Sequence, residues 1–317
     1  MGSPSENKPP GVLMRTVTIA LVATIATAAT ATAALAHPPD LTRLPLGDNL
    51  LAEAPEAGHI VACRTNPDAG GAFRDGDWID TANGTWNLLE KVSVEGATVQ
   101  SGHYFEYGVD GGERVFATAD IPEHPTGTFP VAANDPAYQF DRNPNRIATQ
   151  DFAFAIPADP VVAASPGCVP GSVGILLSGV VLFNSLDAPG RDAVAHETQD
   201  LCQGHPQASG VYHYHSGSSC VIDAFDAGDG HSALIGYILD GFGIYGRRGE
   251  DGVELSSGDL DECHGHTHTI QWDGRTVEMY HYHATQDFPY TVGCIRGEYD
   301  NNDVSSILGG GGQAQRQ

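Results

Sequence analysis

The chain has 317 residues, and 15 Lys+Arg against 40 Asp+Glu give it a formal net charge of −25. Such an acidic surface repels phosphate backbones and anionic lipid headgroups, which argues against nucleic-acid binding, whereas it suits metal cations and solubility. With 39 Gly, 20 Pro and few long apolar periodic runs, the chain reads as turn-rich and mainly β.

Arg15, an Ala-rich apolar run over 16–32 and Ala34-Leu35-Ala36 read as a signal peptide over 1–36, cleaved after Ala36. The run is short and Thr-diluted beside the roughly 20 apolar residues of a spanning helix, so no integral membrane segment is expected after cleavage. The expected location is secreted, periplasmic or on the cell surface. Cleavage would place His37 at the N-terminus, where a terminal amine plus imidazole forms a copper brace as a further alternative.

Residues 37–160 are expected to form an N-terminal β-rich region, led in by 37–58. Its strands, including 86–94 and 103–109, lie between the turn signals Gly70-Gly71, Asn83-Gly84 and Asp110-Gly111-Gly112. A Pro-broken loop spans 134–146, and Phe152-Ala153-Phe154-Ala155-Ile156 alternates as a strand does. Residues 161–300 are expected to be a second domain. It opens on an apolar strand pair over 173–183, broken at Ser178-Gly179. The Gly/Gln-rich stretch over 301–317 is expected to be a disordered tail.

Ten of the 14 histidines lie between His196 and His283, and two stretches there align. One runs Cys202-Gln203-Gly204-His205, Tyr212-His213-Tyr214-His215, Cys220. The other runs Cys263-His264-Gly265-His266, Tyr280-His281-Tyr282-His283, Cys294. The pattern reads as an internal duplication. An even number of cysteines in an exported chain favours disulfides, and the repeat suggests Cys202–Cys220 and Cys263–Cys294, leaving Cys63–Cys168.

Asp273-Gly274 is a two-residue hairpin signal. Placing the turn there sets His266 across from His281 and His264 across from His283, with His268 on the same face and Tyr280 and Tyr282 on the other. A three-residue loop over Ala208-Ser209-Gly210 sets His205 across from His213, with His215 beside them. Opposed Cβ atoms are roughly 5 Å apart, a distance two imidazoles can bridge through one ion. The expected ligands are therefore His205, His213, His215, His266, His281 and His283, brought to a common cleft by pseudo-twofold packing of the two units. Neutral imidazoles suit copper or zinc first, and iron as a third choice.

Among the carboxylates, Asp240, within an apolar strand and turn, and Glu197, ahead of Cys202, are the candidate catalytic residues. Asp200 is a weaker companion to Glu197, and Asp261 and Glu262 are less enclosed. His231, in a Gly-rich acidic loop, is expected to face solvent. No nucleophile elbow or phosphate-binding Gly loop is present in the sequence.

The ordered motifs Gly204-His205-Pro206, Gly210-Val211-Tyr212-His213-Tyr214-His215, Ile238-Leu239-Asp240-Gly241-Phe242, Asp261-Glu262-Cys263 and Asp287-Phe288-Pro289-Tyr290 resemble the YHYH-domain family over about 170–297. That family is named for its motif, occurs in exported proteins and brings no established reaction. The chain departs from the family pattern at His264 and Gly243, which weakens His264 as a ligand. Three functional readings follow: a metal-binding or metal-handling protein, a metal-dependent hydrolase or oxidase with an open coordination position, and a carbohydrate or cell-wall binding module.

Overall fold

Two runs with almost no polar residue, Val173-Gly174-Ile175-Leu176 and Ile235-Gly236-Tyr237-Ile238, lie antiparallel at the centre of one sheet and are buried on both faces. The computed structural model describes residues 1–2, 38–66, 71–299 and 304–308. Within them the strands are β1 (Leu44–Pro45), β2 (Ile79–Asp80), β3 (Thr85–Trp86), β4 (Phe105–Asp110), β5 (Glu113–Thr118), β6 (Phe152–Pro157), β7 (Val162–Gly167) and β8 (Ser172–Leu176). They continue as β9 (Val181–Phe183), β10 (Gly204–Pro206), β11 (Tyr212–Tyr214), β12 (Leu234–Ile238), β13 (Gly243–Tyr245), β14 (Gly265–Trp272), β15 (Arg275–His283) and β16 (Ile295–Gly297). The α-helices are short: α1 (Ala193–His196), α2 (Ser219–Phe225) and α3 (Val304–Ile307). The protein is mainly β, built from short hairpins.

The largest sheet has the order β10-β11-β9-β8-β12-β13-β15-β14. Reading outward from its centre, β8 and β12 are antiparallel, each pairs antiparallel with the next strand of its own unit, and that strand pairs parallel with β11 or β15. The order is therefore the same from either side, with a pseudo-twofold axis between β8 and β12. A Cβ on Gly174 would lie 2.2 Å from the Tyr237 carbonyl oxygen, and one on Gly236 would lie 2.5 Å from that of Ile175. The two glycines let the units meet this closely.

On one face, Phe116, Phe154 and Ile156 of the β4–β6 sheet pack on Ile175, Val181, Tyr237, Leu239 and Tyr245. On the other, Tyr212, Tyr214, Tyr280 and Tyr282 join Trp78, Trp86, Ile60, Phe288 and Tyr290. The described residues from 38 onward form one compact unit, so the β-rich region before 160 shares its core with the sheet that follows.

The β4–β5 hairpin turns at Gly111-Gly112 with φ of 60° and 91°, as its sequence implies. The expected strand over 86–94 ends at Trp86. There Asn87 N–H donates to the Trp78 carbonyl, and the Asn87 side chain accepts from Leu89 N–H, folding the chain into a turn. All three expected disulfides are formed. The expected signal peptide and His37 lie outside the described residues, apart from Met1 and Gly2. Most of the expected tail does too; in the part described, α3 is followed by Leu308, which is buried and whose carbonyl accepts from the Ser172 hydroxyl.

Candidate metal centres

Hairpin geometry decides which histidines meet. Asp273 and Gly274 take φ of 48° and 74°, the left-handed pair that closes a two-residue turn, and His266 pairs across from His281. In the first unit His205 pairs across from His213. Both oppositions are those implied by the turn chemistry. A Cβ on Gly204 would lie 2.3 Å from the Tyr212 hydroxyl, and one on Gly265 would lie 2.5 Å from that of Tyr280. The glycine before each facing histidine thus makes room for the tyrosine ring that packs over it.

In the first cluster His205, His213 and His215 are each no more than 4% exposed, and together they can hold a metal ion. His213 Nε2 and His215 Nε2 are 3.2 Å apart. Helix α1, capped by Asp192, ends at Glu197, whose Oε2 lies 3.6 Å from His205 Nε2 and 3.5 Å from His215 Nε2. Phe183 stacks on the His213 ring with centroids 4.0 Å apart.

The second cluster joins His266, His281 and His283 with His231. His281 Nε2 is 3.1 Å from both His266 Nε2 and His231 Nε2. His231 thus faces the cluster rather than open solvent. It is brought there by the Asp226 carboxylate, which accepts from the Ser232 hydroxyl at 2.6 Å and from Ala233 N–H at 2.8 Å. Composition around His231 concealed this, because the clasp closes only when the loop meets the sheet. His268 stands just outside, its Nε2 3.0 Å from Glu250 Oε1. His264 is not in the cluster. It takes φ of 75° ahead of the strand, like Gln203 in the first unit, and its Nε2 meets Thr285 Oγ1 at 3.0 Å.

The tautomers follow from the outer partners. His215 Nδ1 donates to the Asn184 carbonyl at 2.5 Å and His283 Nδ1 to the equivalent Gly246 carbonyl at 2.6 Å. His213, His281 and His231 likewise have carbonyls at Nδ1, those of Val211, Met279 and Ser232. A carbonyl only accepts, so in each ring Nδ1 carries the proton and Nε2 presents its lone pair. Burial pushes these imidazoles down, His215 to about 4 and His281 to about 3, with His205, His213 and His283 well below the ordinary value. Neutral rings whose lone pairs converge at 3.1–3.2 Å repel unless a cation lies among them. With metal–nitrogen bonds of ~2.0–2.1 Å, the edge of a tetrahedral shell is about 3.4 Å. The donor set and its spacing fit a transition-metal ion.

The six expected ligands do not meet in a common cleft. Pseudo-twofold packing is present, but its axis is perpendicular to the sheet and carries the two hairpins to opposite flanks. Five strand spacings of ~4.8 Å, roughly 24 Å, separate β11 from β15. The β4–β6 sheet packs over the strands between them. A third grouping, His124 with Cys202 and Cys220, offers no thiolate because those cysteines are bonded to each other.

Asp240 lies on the tyrosine face. It accepts from the Tyr282 hydroxyl at 2.6 Å, Gly297 N–H at 2.8 Å and Phe242 N–H at 3.2 Å, which places it away from the histidines as a packing partner. Asp200 and Asp261 are equivalent to each other. They accept from the Tyr212 and Tyr280 hydroxyls and from the backbone N–H groups of Cys202 and Gly204, or of Cys263 and Gly265. Of the candidate carboxylates, Glu197 alone reaches a cluster among the described residues.

Comparison with curated proteins and with solved structures gives no significant match. A family model described as YHYH protein matches residues 153–255, from β6 through the first histidine cluster and β12–β13, and stops short of the second Tyr-His-Tyr-His segment. Over residues 153–255 the chain is thus similar to the YHYH protein family.

Proposed function

We propose that this is an exported metal-binding protein that holds transition-metal ions at two separate histidine centres, one on each Tyr-His-Tyr-His hairpin. The reading rests on one observation: carbonyl-fixed tautomers aim the Nε2 lone pairs of His213 and His215, and of His231 and His281, at each other across 3.1–3.2 Å. The first centre has the donor set of three imidazoles with the Glu197 carboxylate beside them. The second has four imidazoles. Such nitrogen-rich sets suit copper or zinc. The three disulfides fit an oxidising compartment, and no described helix is long and apolar enough to cross a membrane.

Glu197 favours a second reading for the first centre, since a carboxylate beside a bound ion can accept a proton from a metal-bound water. With His205 at 3% exposure, only a water-sized substrate fits that role without rearrangement, so holding the ion is the better supported function.

Elemental analysis of protein purified from its native export compartment, followed by zinc and copper titration, tests the proposal. The expected stoichiometry is two ions per chain, one in His213→Ala, one in His281→Ala and none in the double variant. A folded wild-type chain that carries no metal and takes up neither ion would overturn it.

A further inference from the structure

The two centres are built on equivalent hairpins but differ in their surroundings. Around the first, His205, His213 and His215 are 3%, 4% and 3% exposed, Phe183 covers His213, and the Glu197 side chain is 16% exposed. Around the second, His281 and His283 are fully buried, while His231 and His266 are half-buried. On their outer side stand His268, 23% exposed, and Glu250, 58% exposed, paired at 3.0 Å. The His268 ring centroid is 5.2 Å from that of His231 and 6.1 Å from that of His266. Nitrogen donors therefore continue without a gap from solvent to the buried floor of the centre, and a carboxylate marks the outer end.

Ligand exchange at a bound ion is fastest where an incoming donor can approach before an old one leaves. A hydrated divalent cation, drawn in by the field of a strongly acidic protein, exchanges its waters one at a time. A carboxylate replaces water first because it attracts the charge, and imidazoles follow because they bind transition metals more strongly. Resting on the metal-binding reading above, we infer that His268 and Glu250 form an outer capture site. It passes hydrated divalent transition-metal ions to the four-histidine centre, which exchanges its metal, while the first centre retains its ion. The reaction is ligand substitution alone: waters are displaced by Glu250 oxygen and His268 nitrogen, and these are displaced in turn by the inner imidazoles, with no change of oxidation state.

Zinc-loaded full-length protein is mixed with excess chromophoric chelator, and release is followed by absorbance. Two phases of equal amplitude are expected, separated in rate by more than tenfold. His281→Ala should leave only the slow phase, and His213→Ala only the fast one. His268→Ala with Glu250→Gln should slow both release and re-uptake at the second centre several-fold while the stoichiometry stays at two. One phase at one rate, a fast phase that survives in His281→Ala, or unchanged rates in the His268/Glu250 variant would each overturn the inference and leave metal binding intact. Wild-type protein that takes up no zinc would overturn both.

Discussion

His231 Nε2 lies 3.1 Å from His281 Nε2, although fifty residues separate them along the chain. The contact adds a fourth imidazole to the three supplied by the β14–β15 hairpin. His231→Ala should therefore weaken the second centre by more than the ~10–100-fold that follows loss of a group that only orients a ligand. The first centre should be unaffected. Competitive zinc titration of the variant against wild type checks both parts.

Gly265 admits no side chain, because a Cβ there would lie 2.4 Å from the His281 carbonyl oxygen and 2.5 Å from the Tyr280 hydroxyl. Gly265→Ala should cost about 1–3 kcal/mol through overpacking and should lower affinity at the second centre, whose facing pair it pushes apart. Gly204→Ala should do the same to the first. Denaturant unfolding and per-centre titration measure the two effects.

Arg114 is buried between Tyr237 and Trp272, 4.4 Å and 5.0 Å from the ring centroids, and its Nη2 donates to Asp273 Oδ2 at 2.8 Å. It ties the tip of the β14–β15 hairpin to β5. Because Asp273 is about one-third exposed, the loss in Arg114→Met should be smaller than for a fully buried pair, about 1–3 kcal/mol. Hydrogen exchange should quicken along β14 and β15 but not along β10 and β11.

Burial raises the Asp192 carboxyl from 3.8 to about 6, against the hydrogen bonds it accepts from Tyr290, Gly47 and Ala195. The folded protein thus binds this proton more tightly than the unfolded chain. The resulting stabilisation is full below about pH 4 and is lost as pH rises through about 6. At ~1.4 kcal/mol per pH unit, stability relative to wild type should move in favour of Asp192→Asn by about 2 kcal/mol between pH 4 and 7. Urea melts of both proteins across that range decide it, and parallel curves would show that Asp192 does not titrate there.

The hairpin pairings were legible because turn chemistry and strand parity are local. Asp273-Gly274 fixes the register of its flanking residues, so His266 opposite His281 follows from counting. The repeat was legible only in part. Val173-Gly174-Ile175-Leu176-Leu177-Ser178-Gly179 and Ile235-Gly236-Tyr237-Ile238-Leu239-Asp240-Gly241 are equivalent strands and turns, which extends the duplication well upstream of Cys202. Aligning these apolar runs would have revealed two units meeting at β8 and β12, and so two centres on opposite flanks.

What remained hidden depends on contacts distant in sequence. Asp240 looked like a candidate catalytic group because it sits among apolar residues. Its partners, Tyr282 and Gly297, are 42 and 57 residues away and satisfy it on the face opposite the histidines. Parity put His264 on the histidine face opposite His283, and His283 N–H does donate to its carbonyl, but its positive φ places it ahead of β14 and its Nε2 meets Thr285 instead of the cluster.

The sequence by itself determined the disulfide pairing, the mainly β character and the facing histidine pairs, because these follow from composition, from spacing within a hairpin or from the repeat, with Cys63–Cys168 as the pair left over. Only the tertiary structure decided that the pairs stand in two separate clusters, that His231 joins one and that Glu197 stands beside the other. Those outcomes depend on how β8 meets β12 and on where two loops come to rest, and no periodicity along the chain encodes either.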